Sequence, residues 1–382
     1  MTELSETVTR RNALKLLGST AAAAGLTGVA AGDLTGDSMR VNVGYDTETA
    51  KQAALDLADT VHWEFAWDAL TITMPTAGLD SLQGVAGIRY VERDTEVEAL
   101  AQTLPWGVDR TDADVAHAAG DTGEGADIAI IDTGIDRYHG DLVDNLGEGR
   151  AFTGPIASDN WHDDNGHGTH CAGIADAVDN SQGVVGVSTT ATLHAVKVLT
   201  AAGSGFNSDV AKGIEWTADQ GYDVGSMSLG GGGSTQNGKE AVEYAANKGV
   251  FLIAAAGNDG PCTDCVSYPA AYPEVMAVSA TNDQDQLASY SSQGPEVEIA
   301  APGTDIYSTY TGGTYNTLSG TSMACPHVSG AAGQLMAEGQ SASQARSTLK
   351  SSAEDIGLGA NESGSGLLDV AAALGQNSGD DL

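Results

Sequence analysis

Two rhythms of apolar and polar positions divide the chain. Between residues 34 and 100 the rhythm is mixed. "MRVNVGY", "ALTITMP" and "IRYVERD" have the β-branched, alternating character of strands, and "ETAKQAALDLADTV" and "GLDSLQGV" have helical spacing. Strand, helix, strand, short helix and strand in this order suit a small ferredoxin-like α+β unit. A polar, acidic connector, "RDTEVEALAQT", follows it and has linker character.

From about residue 101 the rhythm changes. "ADIAIID", "TLHAVKVL", "YDVGSMSLG", "GVFLIAAAGN" and "VMAVSA" are nearly continuous apolar runs, separated by the helical patterns "HGTHCAGIADAV", "NSDVAKGIEWTADQ" and "GKEAVEYAANK". Strands apolar on both faces, alternating with helices, imply an α/β fold with a parallel sheet covered on both sides. In such sheets the working groups collect at the carboxyl ends of the strands. No internal repeat is visible.

Length and charge narrow the function classes. The 382 residues allow one large domain and a smaller one, and 41% hydrophobic residues allow a sizeable core. Acids outnumber bases 52 to 16, for a formal charge of -36. The first 100 residues hold 15 acids and 7 bases, so the excess is spread along the chain rather than gathered in a tail. That disfavours a nucleic-acid partner, which needs a basic face. In dilute salt such charge strains a fold by self-repulsion. At molar salt the Debye length falls to about 3 Å and the strain is screened. With only seven lysines, the composition is that of a protein living in strong brine.

The beginning of the chain reads as an export signal. Arg10 and Arg11 precede a weakly apolar stretch, Leu16 to Ala31, too short and too rich in Ala and Gly to make a good membrane span. A twin arginine in this setting indicates a Tat-type signal over residues 1–33, with the Tat export machinery as partner and release outside the cell. Cys262 and Cys265 form a C-x-x-C in a turn, where an extracellular chain is expected to close a small disulfide loop. One isolated pair cannot make a four-cysteine zinc site. Cys171 and Cys325 lie in apolar helical runs and read as buried thiols, with a bridge between them left open.

Three stretches carry the chemistry. "IAIIDTGID" ends a buried strand at Asp132, "DNGHGTHCAG" puts His167 in a Gly-rich turn before a helix, and "GTSMACPH" puts Ser322 at another helix start. Singly, Asp132 could form a turn, His167 and His170 could be a polar pair or metal ligands, and Ser322 could cap its helix. Together they are acid, base and nucleophile in the chain order Asp, His, Ser.

On "DTGID", "HGTHCAG" and "GTSMACPHVSG", the chain from about Ala101 to Leu374 resembles the subtilisin-like serine proteases, most of all the halolysins of haloarchaea. Residues 34–100 more weakly resemble the family's inhibitor-like propeptide. The resemblance implies a subtilisin-like three-layer sandwich with a mostly parallel central sheet over residues 101–382. It implies a monomeric, self-processing endopeptidase acting on proteins and peptides, with its own propeptide as chaperone and inhibitor. Ser322 would attack, His167 would shuttle the proton, Asp132 would orient the ring, and Asn258 with the Ser322 N–H would hold the oxyanion.

The same resemblance places substrate. Gly203, Ser204 and Gly205 on one side and Ser228, Leu229 and Gly230 on the other would flank an extended peptide. The first specificity pocket would be lined by Ser228–Gly230 with Ala255, Ala256 and Gly257, giving an apolar or aromatic preference. A second subsite would use Leu199, Val210 and Leu229. One departure stands nearby: Gly225 and Ser226 occupy positions where the family often has a larger residue and Asn. The family's strong Ca²⁺ site maps to side chains of Gln102, Asp141 and Asn180 and carbonyls of Val178, Gln182 and Val184. No cofactor is expected for catalysis. Because Gln102 belongs to that site, self-cleavage is expected near Leu100–Ala101. An inactive binding module or a calcium-binding structural protein would leave Asp132, His167 and Ser322 without a task.

Overall fold

The computed structural model describes residues 38–94, 102–231 and 233–377. The expected signal segment and the expected cleavage point at Leu100–Ala101 lie outside the described residues. The chain divides into two compact units, Met1–Ala99 and Leu100–Leu382.

In the first unit, β1 (Ser38–Tyr45), α1 (Glu48–Leu57), β2 (Thr60–Phe65), β3 (Ala69–Pro75), α2 (Leu79–Gln83) and β4 (Ile88–Arg93) follow in order. The strands form one antiparallel sheet ordered β2-β3-β1-β4. This is a ferredoxin-like βαββαβ arrangement. Val41 pairs with Ile72 and Val43 with Leu70, and all four are fully buried. Ala50 and Ala54, one turn apart on α1, cover them. The Thr47 hydroxyl caps α1 by accepting from the Ala50 N–H at 3.2 Å.

Strand β2 corrects the sequence reading, in which the helix runs on to Val61. The helix stops at Leu57 because Ala58 turns extended and the Asp59 N–H donates to the Thr73 carbonyl at 2.8 Å. That bond draws the chain back into the sheet. Five of the six β2 residues are exposed, so its polar pattern carries no buried face to read.

The second unit is built on a seven-stranded sheet, parallel at every pairing. It comprises β5 (Asp127–Asp132), β6 (Arg150–Ala151), β7 (Thr192–Lys197), β8 (Val224–Met227), β9 (Phe251–Ala255), β10 (Val275–Thr281) and β11 (Val297–Pro302), in the order β11-β10-β9-β8-β5-β7-β6. Alternation along β5 divides the interior. Ile128 and Ile130 face one core with α3 (His167–Asp176) and α6 (Thr321–Ala337), while Ala129 and Ile131 face the other with α4 (Asn207–Gln220) and α5 (Gln236–Asn247). The result is three layers: helices, sheet, helices. A hairpin, β12 (Ile306–Tyr310) with β13 (Thr314–Leu318), covers α3. Strands β6 and β11 and this hairpin have no counterpart in the sequence reading.

Order reverses between β5, whose neighbours are β7 and β8, and the rest of the sheet. Crevices beyond strand carboxyl ends at such reversals are where α/β sheets place ligands. Asp132 is the last residue of β5, Lys197 the last of β7 and Met227 the last of β8.

Candidate active site

Asp132 is completely buried at the end of β5, while the His167 side chain remains 28% exposed. The His167 Nδ1 lies 2.8 Å and 3.0 Å from the two carboxylate oxygens of Asp132. A further donor, the Thr133 N–H, reaches Asp132 Oδ1 at 2.7 Å. Burial opposes protonation of the imidazole, but the Asp132 charge overrides it and holds the His167 pKa well above its ordinary value.

His167 begins α3, and the turn before it explains why the ring is delivered there. The Asp163 carboxylate accepts from the backbone of Asn165 (2.9 Å), Gly166 (3.0 Å) and Thr169 (3.0 Å). Burial would raise its pKa, yet these bonds and the Thr169 hydroxyl hold it below the usual carboxylate range. The next residue must be small. A Cβ at Gly168 would collide with the Gly134 carbonyl and stand 3.1 Å from Asp132 Cβ, so only glycine lets the helix press against the strand end. His170 turns away, with Nε2 held by the Ile306 and Asn316 carbonyls at 3.1 Å and 3.0 Å. It therefore forms no polar or metal-binding pair with His167.

Ser322 is the second residue of α6, and Gly320 occupies the cap position. The capping role considered for Ser322 is thus not the one it has. Its hydroxyl donates to the Ser228 carbonyl at 3.2 Å, and among the described residues that is its hydrogen bond, rather than one to the imidazole. The Ser322 carbonyl has no helical donor, because Pro326, four residues on, has no N–H. It accepts instead from Ser228 Oγ at 2.8 Å and Cys171 Sγ at 3.4 Å. Cys171 in turn lies 4.0 Å from His167 Nδ1, so one thiol touches both helices that carry the chemistry.

Asn258 follows β9. Its Oδ1 accepts from the Thr321 N–H (2.9 Å) and hydroxyl (3.1 Å), which fixes the direction of the amide. A Cβ built on Gly320 would stand 3.5 Å from Asn258 Nδ2 and 3.6 Å from the Ser322 nitrogen. Both nitrogens therefore border the same open space beside Gly320.

A cleft of about 400 Å³ opens next to His167. Leu199, Gly203, Ser204, Gly205, Val210, Ser228, Leu229 and Gly230 all line it, as the sequence reading places them. Ala255, Ala256 and Gly257 do not. Ala255 and Ala256 are buried, the Ala256 carbonyl is taken by the Ser267 N–H at 2.8 Å, and the Gly257 N–H donates to Thr321 Oγ1 at 3.1 Å. Sequence reasoning missed Thr133, Asn165, Tyr268 and Tyr272 in this lining. The first two adjoin the motifs that hold Asp132 and His167 and could have been found there; the tyrosines carry no local signal. Ser226, the departure noted above, faces α6, where its hydroxyl receives one from Ser329 at 2.9 Å, and so lies off the cleft.

The six residues of the expected calcium site come together. Gln102 Nε2 reaches the Val178 and Val184 carbonyls at 2.9 Å and 3.3 Å, Asn180 Nδ2 reaches Asp141 Oδ1 at 3.3 Å, and the Gln182 N–H donates to Asn180 Oδ1 at 2.8 Å. At Gly183 a Cβ would strike the Asp141 carboxylate, so the loop closes only around a glycine. Carbonyls, amides and one carboxylate in a loop suit a hard oxygen-seeking cation, and a flipped Gln102 amide would add an oxygen to them. Cys262 and Cys265 are joined, with Cα atoms 6.2 Å apart. Cys171 and Cys325 are free and buried.

Comparison with known proteins agrees with this geometry. Residues 123–371 match the model of the subtilase family. The chain is 43% identical over 306 residues to the alkaline protease of Shouchella clausii, covering 80% of this chain and 78% of that protein. It is 41% identical over 310 residues to subtilisin E of Bacillus subtilis (strain 168), 80% of each chain. With Subtilisin Savinase of Lederbergia lenta the identity is 45% over 275 residues, 72% of this chain and 99% of the relative.

Proposed function

The chain belongs to the subtilase family of subtilisin-type serine endopeptidases, and from that premise we propose a mechanism in which Ser322, His167 and Asp132 act as nucleophile, proton shuttle and orienting acid. The observation that carries it is the buried Asp132 carboxylate 2.8 Å from the His167 ring, one thiol away from Ser322. Ser322 Oγ attacks the scissile carbonyl as His167 Nε2 takes its proton. The C–N bond then breaks, and the imidazolium returns the proton to the leaving amine. Water repeats the sequence on the acyl-enzyme. The Ser322 hydroxyl must first leave the Ser228 carbonyl, a rotation about one side-chain bond; such bonds tighten with substrate present. Asn258 Nδ2 and the Ser322 N–H stabilise the developing oxyanion in the space beside Gly320.

The cleft holds the substrate as an extended strand, with the Leu199, Val210 and Leu229 side taking an apolar residue. Residues 34–100 serve as an inhibitory propeptide removed near Leu100–Ala101, after a Tat-type signal has directed export to the outside of the cell. The mature protein works as a monomer. Gln102, Asp141 and Asn180, with the carbonyls of Val178, Gln182 and Val184, hold a structural Ca²⁺. The acidic excess of residues 101–382, 37 acids against 9 bases, supports a halophilic enzyme.

The test is labelling by a serine-directed sulfonyl fluoride in high salt, with Ser322→Ala as control. Wild type takes one label at Ser322 and loses activity in step; absence of label on folded, processed protein would sink the mechanism. Repeating the assay after dialysis to dilute buffer reads the halophilic claim separately.

A further inference from the structure

Lys197 is 4% exposed at the end of β7, in register with Asp132 on β5. Its stem sits where any apolar chain would pack, yet it ends in a charge, and burying an ammonium costs far more than burying a methyl. The charge has two partners. Nζ donates to the Thr133 carbonyl and, at 2.7 Å, to Asp164 Oδ1, whose side chain is 55% exposed.

Those two partners lie on the two mounts of the catalytic pair. Thr133 supplies the N–H that holds Asp132 Oδ1 at 2.7 Å, and its hydroxyl accepts the Gly168 N–H of α3 at 2.9 Å. Asp164 is in the turn that leads through Asn165 and Gly166 to His167. The strand adds to the hold, since the Asp132 carbonyl accepts from Val198 (2.9 Å) and Leu199 (3.1 Å), directly after Lys197.

We propose that Lys197 is a positioning residue for the Asp132–His167 pair: its ammonium ties the peptide that mounts the carboxylate to the turn that delivers the imidazole. This rests on the catalytic reading above. Lys197 touches neither substrate nor the reacting atoms. It acts by fixing the relative placement of two groups whose misplacement by about 1 Å costs about a hundredfold in rate. The titratable groups acting with the ring are Asp132 from β5 and Cys171 and His170 on its own helix, while Asp164 on the approach turn and Lys197 on β7 pair with each other.

The test uses the processed protein in high salt with calcium, and the variants Lys197→Met, Lys197→Arg and Asp164→Asn. Three quantities are read: kcat and KM per titrated active site, the acid limb of kcat/KM, and the low-field NMR proton of the Asp132–His167 hydrogen bond. Lys197→Met is expected to lose about 10-fold to 100-fold in kcat with KM changed by less than about two-fold. Its acid limb and low-field resonance move, and Lys197→Arg restores most of each, since it still donates to both partners. A folded Lys197→Met with wild-type kcat, limb and resonance overturns the proposal, as does a loss of titratable sites alone. If Lys197→Met does not fold, Asp164→Asn decides: a kcat loss of about 3-fold or more with a displaced resonance supports it, and no change overturns it. Should wild type itself take no label at Ser322, the catalytic reading fails, while the resonance still reports on the tie.

Discussion

Ser228 and Ser322 exchange hydrogen bonds in both directions: the Ser322 hydroxyl donates to the Ser228 carbonyl at 3.2 Å, and the Ser228 hydroxyl donates to the Ser322 carbonyl at 2.8 Å. The first bond parks the nucleophile, and the second fixes the backbone that carries it. Ser228→Ala removes only the second. A neutral hydrogen bond contributes about 1 kcal/mol net, so kcat should fall roughly 2-fold to 10-fold with little change in KM. Steady-state kinetics on a peptide anilide, corrected by active-site titration, check this; an unchanged kcat would remove Ser228 from the positioning of Ser322.

The pH dependence follows from His167. Burial alone would lower its pKa, but Asp132 raises it well above the ordinary imidazole value. The neutral ring is the base, so kcat/KM should rise with pH through that raised pKa, placing the acid limb on the alkaline side of 6.5. Asp132→Asn should move the limb to lower pH and depress kcat by about 10⁴-fold. A limb that stays in place in the variant would deny Asp132 its influence on the ring.

Acid should unfold the protein through two other rings. His170 and His327 are both buried, and burial pushes each pKa down to about 4. Their folded pKa lies below the unfolded one. The stability they contribute is therefore complete above about 6.5 and is lost as pH falls toward 4, on the order of 3 kcal/mol per ring. Denaturant unfolding of the inactive Ser322→Ala protein between pH 7 and 4.5 measures the slope. His170→Gln and His327→Gln should each flatten it, and equal slopes in all three proteins would refute the assignment.

Calcium should matter to stability without entering the chemistry. The loop from Val178 to Val184 is held to Gln102 and Asp141 by the bonds described above, and the Val184 N–H adds one to Asp141 Oδ2 at 2.9 Å. A ligand present at 100 times its dissociation constant stabilises by about 2.7 kcal/mol. Chelation should lower the Tm of the Ser322→Ala protein, and Asp141→Asn should weaken calcium binding by calorimetry. A Tm indifferent to chelator would dismiss the site.

Much of this was legible in the sequence, for reasons that can be named. The strands β5, β7, β8, β9 and β10 are buried on both faces, so their apolar runs are nearly continuous. Asp132, His167 and Ser322 sit at ends of elements, where glycine-rich turns punctuate the pattern. What escaped was set by long-range partners. β2 is exposed, β6 has two residues, and β11 includes Glu298, whose carboxylate meets Arg346 and Lys350 across more than forty residues.

Pro326 leaves a lasting mark on which sequences this architecture tolerates. A carbonyl oxygen offers two lone pairs, and the one on Ser322 is filled by a hydroxyl from the residue after β8 and a thiol from α3. Any other amino acid at 326 would bring a third claimant. Exchanging the proline alone would set the Cys171 thiol and the Ser228 hydroxyl competing with a new N–H where they now share the oxygen.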